Sequence, residues 1–212
     1  MQTKVWDVVT RLFHWALALA VTSSFVSIKL LHDVELHLKC GSVVLTLVIF
    51  RILWGFVGSA NARFTSFITG IKSVISYIRL PTIDKARGTG HSPLAGWAVL
   101  ILLMCLSLQV TTGLFADDEI YTTGPLAGMV GSDTRSWATK VHYQNSDVLL
   151  GFILLHLLAN AFYFFALKIN LVKPMITGKK DLPNVVSVKE RPVTAVVCLL
   201  VAISICWVIF NR

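Results

Sequence analysis

The stretch 139–167, TKVHYQNSDVLLGFILLHLLANAFYFFAL, decides how this chain is read. A bilayer core needs about 20 predominantly apolar residues in a helix, and this run is long enough to cross one. It also carries two histidines, His142 and His156. Their spacing of fourteen residues is close to four helical turns. They therefore share one helix face, about 21 Å apart along the axis. An ionisable group inside a membrane span is costly, so each is a functional candidate.

Four further runs reach spanning length: 12–31, 36–57, 94–115 and 193–210. The composition agrees. Of 212 residues, 55% are hydrophobic and 14% charged, against about 25% charged in an ordinary soluble domain. Mean hydropathy is +0.73. A disordered chain is excluded, and the class is all-α integral membrane protein. The net charge of +8 comes from basic residues set between the apolar runs. That is a topology signal, and nucleic acid is not an expected partner. Cys40, Cys105, Cys198 and Cys206 lie within apolar runs and form no Cys-x-x-Cys or Cys-x-x-Cys-His pattern. Disulfides, iron–sulfur clusters and covalently attached haem are therefore not expected. His14 sits in the first turn of the first run, and no small-x-small site follows it, so the N-terminus does not read as a cleaved signal.

Basic residues set the orientation. With the N-terminus cytoplasmic, the inner segments hold Lys4, Arg11, Arg51, Arg63, Lys72, Arg79, Lys85, Arg87, Lys168, Lys173, Lys179, Lys180, Lys189 and Arg191. The outer side holds only Lys29, Lys39, Arg135, Lys140 and Arg212. The expected location is a bacterial inner membrane, crossed five times, with the C-terminus periplasmic. Phe64, Phe67, Ile68, Ile71, Val74, Ile75 and Ile78 recur at helical spacing and predict an interfacial helix over about 62–80. Residues 1–168 form the expected transmembrane unit, and 169–212 a cytoplasmic loop followed by the fifth span.

Depth sorts the histidines. His14 opens a span that starts inside, and His37 opens one that starts outside. His142 lies near the outer face and His156 four turns deeper. This gives an outer pair, His37 with His142, and an inner pair, His14 with His156. Two stacked imidazole pairs in a helical bundle suit bis-histidine ligation of two b-type haems. Gly41, four residues after His37, would let a porphyrin lie close to the backbone. Arg51, fourteen after His37, reaches the inner depth, where it would pair with a haem propionate or snorkel to headgroups. His32 reads as interfacial. A histidine-lined metal transporter is the competing class, but such sites usually add carboxylates or thiolates at the same depth.

The segments VWDVVTRLFHW (5–15), HLKCG (37–41), RILWGFVG (51–58), GHSPLAG (90–96) and LQVTTGL (108–114), with the His142/His156 pair, resemble the bacterial cytochrome b561 and nickel–iron hydrogenase cytochrome b family. The likeness covers about 4–168. It implies a four-helix transmembrane bundle holding two haems b, with His14, His37, His142 and His156 as axial ligands and quinone as the usual electron partner. It also puts His91, in GHSP, at the inner end of the third span, either beside a propionate or quinone or in a structural loop role. Gln109 and Lys140 join Gly41, Arg51 and His91 in the expected haem environment. Two departures stand out. His142 is followed by Tyr143 and Gln144, where the family commonly has His-Glu, and Asp147 replaces a frequent Asn. Asp147 is expected to face the bundle, hydrogen-bonded to Gln109 or Lys140, or to exchange protons with a quinol if buried. The fifth span has no assigned role.

Asp33, Glu35, Asp117, Asp118, Glu119 and Asp133 fall in the outer loops. Such a face attracts basic proteins and disfavours anions. It favours a periplasmic cytochrome c over the family's superoxide:quinone oxidoreductase activity. A third expectation is the cytochrome b anchor of a larger oxidoreductase.

Overall fold

Four of the five spans begin where side chains or prolines suit the unpaired N–H groups of a first helical turn. A computed structural model describes residues 2–79, 92–117, 122–181 and 188–211. Helix α1 (Val8–Lys29) is capped by Asp7, whose Oδ1 accepts from the Thr10 N–H at 2.7 Å. Helix α2 (Val34–Val57) is capped by Asp33, which accepts from the Leu36 N–H at 2.9 Å. The segment between the second and third spans holds α3 (Phe64–Phe67) and α4 (Ile71–Arg79). Helix α5 (Pro93–Phe115) starts on a Ser92 cap with Pro93 in its first turn. Helix α6 (Ser132–Phe165) has 34 residues, about 51 Å of helix. The short α7 (Val172–Thr177) precedes α8 (Pro192–Phe210). Helices α1, α2, α5, α6 and α8 are long and apolar enough to cross a membrane. The chain is a helical, multi-pass membrane protein.

Two segments carry more structure than expected. The interfacial helix expected over about 62–80 is split, because Ile68 leaves α3 with extended dihedrals (φ −79°, ψ 104°) and Gly70 follows before α4 begins. In α4, Ile71 and Ile75 stay exposed while Tyr77 turns inward and is buried. The segment after residue 168 is also more than a loop. Strand β1 (Gln2–Lys4) pairs antiparallel with β2 (Lys179–Asp181), and Thr3 lies opposite Lys180. Gly178, at φ +78°, ends α7 in the left-handed conformation that favours glycine. Its carbonyl accepts from the Val5 N–H at 2.8 Å. Trp15 Nε1 donates to the Met175 carbonyl at 3.2 Å. The inner end of α1 is thus tied to the segment after the fourth span.

Helix α1 runs along α2, α2 meets α5, and α5 runs along α6. Helices α1 and α6 face each other without packing along their length. Ala20, Val44, Val48, Leu103, Leu106 and Leu149 form the mid-depth core. The fifth span packs on the back of α2. Its small buried residues Ala195, Cys198, Ala202 and Cys206 recur every three or four positions, a spacing that lets helices approach closely in lipid. Ala195, Cys198 and Ala202 meet Phe50 and Trp54 of α2. The fifth span therefore buttresses the helix that carries His37 and Arg51.

Candidate functional site

The outer pair forms because His37 lies one turn inside the Asp33-capped end of α2 and His142 lies opposite on α6. Their ring centroids are 6.2 Å apart with planes at 89°. His37 Nδ1 lies 3.0 Å from the Ser24 carbonyl oxygen, and His142 Nδ1 lies 3.0 Å from the Gln109 carbonyl oxygen. A carbonyl only accepts, so both Nδ1 atoms carry the proton and both Nε2 atoms keep a lone pair for a metal. Gln109 also places its Nε2 at 3.1 Å from His142 Nε2. Its Oε1 accepts from Asn145 Nδ2 at 2.7 Å, and Asn145 donates to the Cys105 carbonyl at 2.9 Å.

A cavity of about 400 Å³ opens beside this pair, lined by His37, Gly41, Val44, Leu106, Gly113 and His142. That size falls in the range of cofactor pockets, roughly 300–1,000 Å³. A Cβ at Gly41 would meet nothing within 4 Å, so the residue borders open space. A Cβ at Gly113 would lie 2.9 Å from His142 Cε1. Glycine there is what lets α5 and the ring coexist. Ser24, Gly113 and Asn145 were not anticipated. Gly113 lay within the LQVTTGL segment, but only the fold shows what it faces.

The inner pair spans the interval between α1 and α6. His14 and His156 have centroids 6.5 Å apart with planes at 52°. His14 Nδ1 is buried without a hydrogen-bond partner. Asn160 Nδ2 lies 3.3 Å from His156 Nε2. Two imidazoles sharing one metal, with bonds of roughly 2 Å on each side plus the ring radii, place their centroids about 6 Å apart. Both pairs fit that requirement. Among the described residues, no group of three or more His, Cys, Asp or Glu that could hold a metal ion is found.

Arg51 is buried, at 5% exposure. Of the two roles considered for it, snorkelling to headgroups does not fit, because Phe64 and Phe67 fold over it with ring centroids 5.1 and 5.8 Å from the guanidinium carbon. One terminal nitrogen, Nη1, is buried without a partner. Nearby, Asp7 is fully buried. It accepts from the Thr10 hydroxyl at 2.6 Å and from the Ser59 hydroxyl, while Trp54 Nε1 donates to Thr10 Oγ1 at 3.2 Å.

Other expectations fare differently. Lys140 is exposed, and at about 100° per residue it lies on the face of α6 opposite His142. It takes no part in the cluster. Asp147 is also exposed and bonds neither Gln109 nor Lys140, since it is turned away from the bundle; Gln109 is held by Asn145 instead. His91, Asp118 and Glu119 lie outside the described residues. The outer acids are partly neutralised. Arg135 pairs with Asp117 at 2.8 Å and Lys39 with Glu35 at 2.6 Å, and Asp33 is engaged as a helix cap.

The sequence pattern that defines the family described as prokaryotic cytochrome b561 matches residues 5–178. No curated protein and no solved structure matches the chain.

Proposed function

The chain belongs to the prokaryotic cytochrome b561 family of haem-binding membrane electron-transfer proteins, and from that premise we propose that it holds two haems b, one near each face. His37 and His142 would hold the outer haem, His14 and His156 the inner. The observation that carries this reading is the double imidazole pairing, at 6.2 and 6.5 Å, on opposite sides of the span. Haem b supplies reversible one-electron chemistry when bound. The backbone carbonyls of Ser24 and Gln109 keep Nε2 of the outer rings available. Gly41 leaves the cavity wall open, and Arg51 offers a buried positive charge to an inner propionate.

Electrons would then pass across the bacterial inner membrane between the quinone pool and a periplasmic partner. The excess of Lys and Arg on one side supports a cytoplasmic N-terminus and a periplasmic C-terminus. Exposed Asp33 and Asp133 support a basic cytochrome c as that partner.

Pyridine haemochrome assay of the purified protein tests the reading. It should give two haems per chain, with haem b bands on dithionite reduction. His37→Ala and His142→Ala should each remove one haem and spare the other. A single haem in the parent protein, or loss of both in every variant, would overturn the arrangement.

A second reading, superoxide:quinone oxidoreductase, is favoured by one observation. Lys29 lines the outer cavity while Asp117 and Glu35 are ion-paired, so less negative charge repels an anion there. Rapid haem reduction by superoxide in stopped flow, with no fast reaction with basic cytochromes, would select it.

A further inference from the structure

Lys140, Gln144, Asp147 and Gly151 follow one another along α6 at intervals of three or four residues, and all four are exposed. At about 100° per residue they lie roughly 140–200° around the helix from His142, on the face turned away from the imidazoles. Among the described residues, neither Gln144 nor Asp147 has a hydrogen-bond or ion-pair partner.

Depth makes this costly. The Asp117 N–H donates to Thr139 Oγ1 at 2.9 Å, which sets the outer end of α5 level with Thr139. Asp147 lies eight residues further in, about 12 Å along the axis. That is within a hydrocarbon core about 30 Å thick. A carboxyl facing lipid at that depth is strongly disfavoured without a polar partner.

The stripe is its own complement. Gln144 brings amide N–H donors, and Asp147 brings carboxyl acceptors one turn away. We infer that α6 packs in parallel against α6 of a second copy of this chain, across a two-fold axis. Identical copies inserted with the same topology bring equal depths together, so the Gln144 amide of each copy donates to the Asp147 carboxyl of the other. Such an interface is self-complementary, as two-fold symmetry requires. A Cβ at Gly151 would meet nothing within 4 Å of its own chain, and its absence lets the two backbones approach. Polar groups in a helix seam also fix register. A second copy supplies every group the stripe needs, whereas an unrelated subunit would have to bring a donor to the same depth.

The test uses the haem-loaded protein in liposomes. Gln144→Cys should cross-link to a dimer under mild oxidation, whereas Val197→Cys, on the exposed face of α8, should not. Asp147→Asn should keep the dimer. The double variant Gln144→Leu/Asp147→Leu should raise the dimer dissociation constant, read by fluorescence transfer on lipid dilution, at least tenfold, with the haem spectrum unchanged. If the double variant does not accumulate, the two cysteine variants decide alone. A monomer at every lipid dilution, linkage through Val197 in place of Gln144, or linkage only to a different protein would overturn the inference.

Discussion

His37 Nδ1 sits 3.0 Å from the backbone carbonyl of Ser24, and that contact, more than the serine side chain, fixes the protonated nitrogen of the ring. The Ser24 hydroxyl lies 3.1 Å from the same atom. Ser24→Ala removes the hydroxyl and keeps the carbonyl. It should leave the haem content intact and shift the outer midpoint potential only slightly, as a redox titration would show. Loss of the outer haem in this variant would mean that the hydroxyl, not the carbonyl, orients the ligand.

Gly113 and Gly41 make a contrasting pair. Gly113→Val must displace the His142 ring, because its Cβ would stand 2.9 Å from Cε1. Gly41→Leu meets no protein atom at its Cβ. If the chain holds the two haems proposed above, both should drop the haem count from two to one, the first by moving a proposed ligand and the second by filling the space proposed for the cofactor. If Gly41→Leu retains both haems, the porphyrin does not lie against that wall.

Arg51 carries a buried charge with one unpartnered nitrogen. A cation near a haem favours the reduced state. Arg51→Leu should therefore lower the inner midpoint potential, by about 60 mV or less, the one-electron equivalent of a tenfold change. The outer potential should not move. Arg51→Lys should recover part of the shift if charge is what matters, and little if the planar fork is needed. Potentiometry of the two resolved haem transitions checks both.

Asp7 is a stability element. It caps α1 and accepts from Thr10 twice and from Ser59 once, with no exposure. Asp7→Ala removes a helix cap and orphans buried donors, at a cost of about 3 kcal/mol. The midpoint of thermal Soret loss should fall clearly. Asp7→Asn retains one acceptor oxygen and should fall less.

If a basic cytochrome c docks on the outer face, its reaction should slow only modestly with added salt. Glu35 and Asp117 are already paired, and surface fields are screened within about 8–10 Å. A strong salt dependence in stopped flow would place the docking charges on other residues.

The spans and the meeting of His37 with His142 and His14 with His156 were legible because helix rise converts residue number directly into depth. Angle was equally available for Asp147. Five residues past His142 is about 140° around the helix, and the expectation that it faced the bundle used depth alone. The burial of Arg51 was not legible, since Phe64 and Phe67 reach it from beyond a chain reversal. Nor was the pairing of Asp117 with Arg135, which needs the outer loop to fold back on α6. The β1–β2 pairing joins the two segments that flank the matched region, and no local pattern announces it.

That pairing bears on biosynthesis. The first helix enters the bilayer long before its anchor exists, because Thr3 waits for Lys180. At bacterial elongation rates the delay is about 10–35 s. During that interval the leading segment is held only by its neighbours in the lipid. A nascent chain stalled before residue 180 should therefore leave its first ten residues open to protease added on the side where they lie, and completion of the chain should shield them.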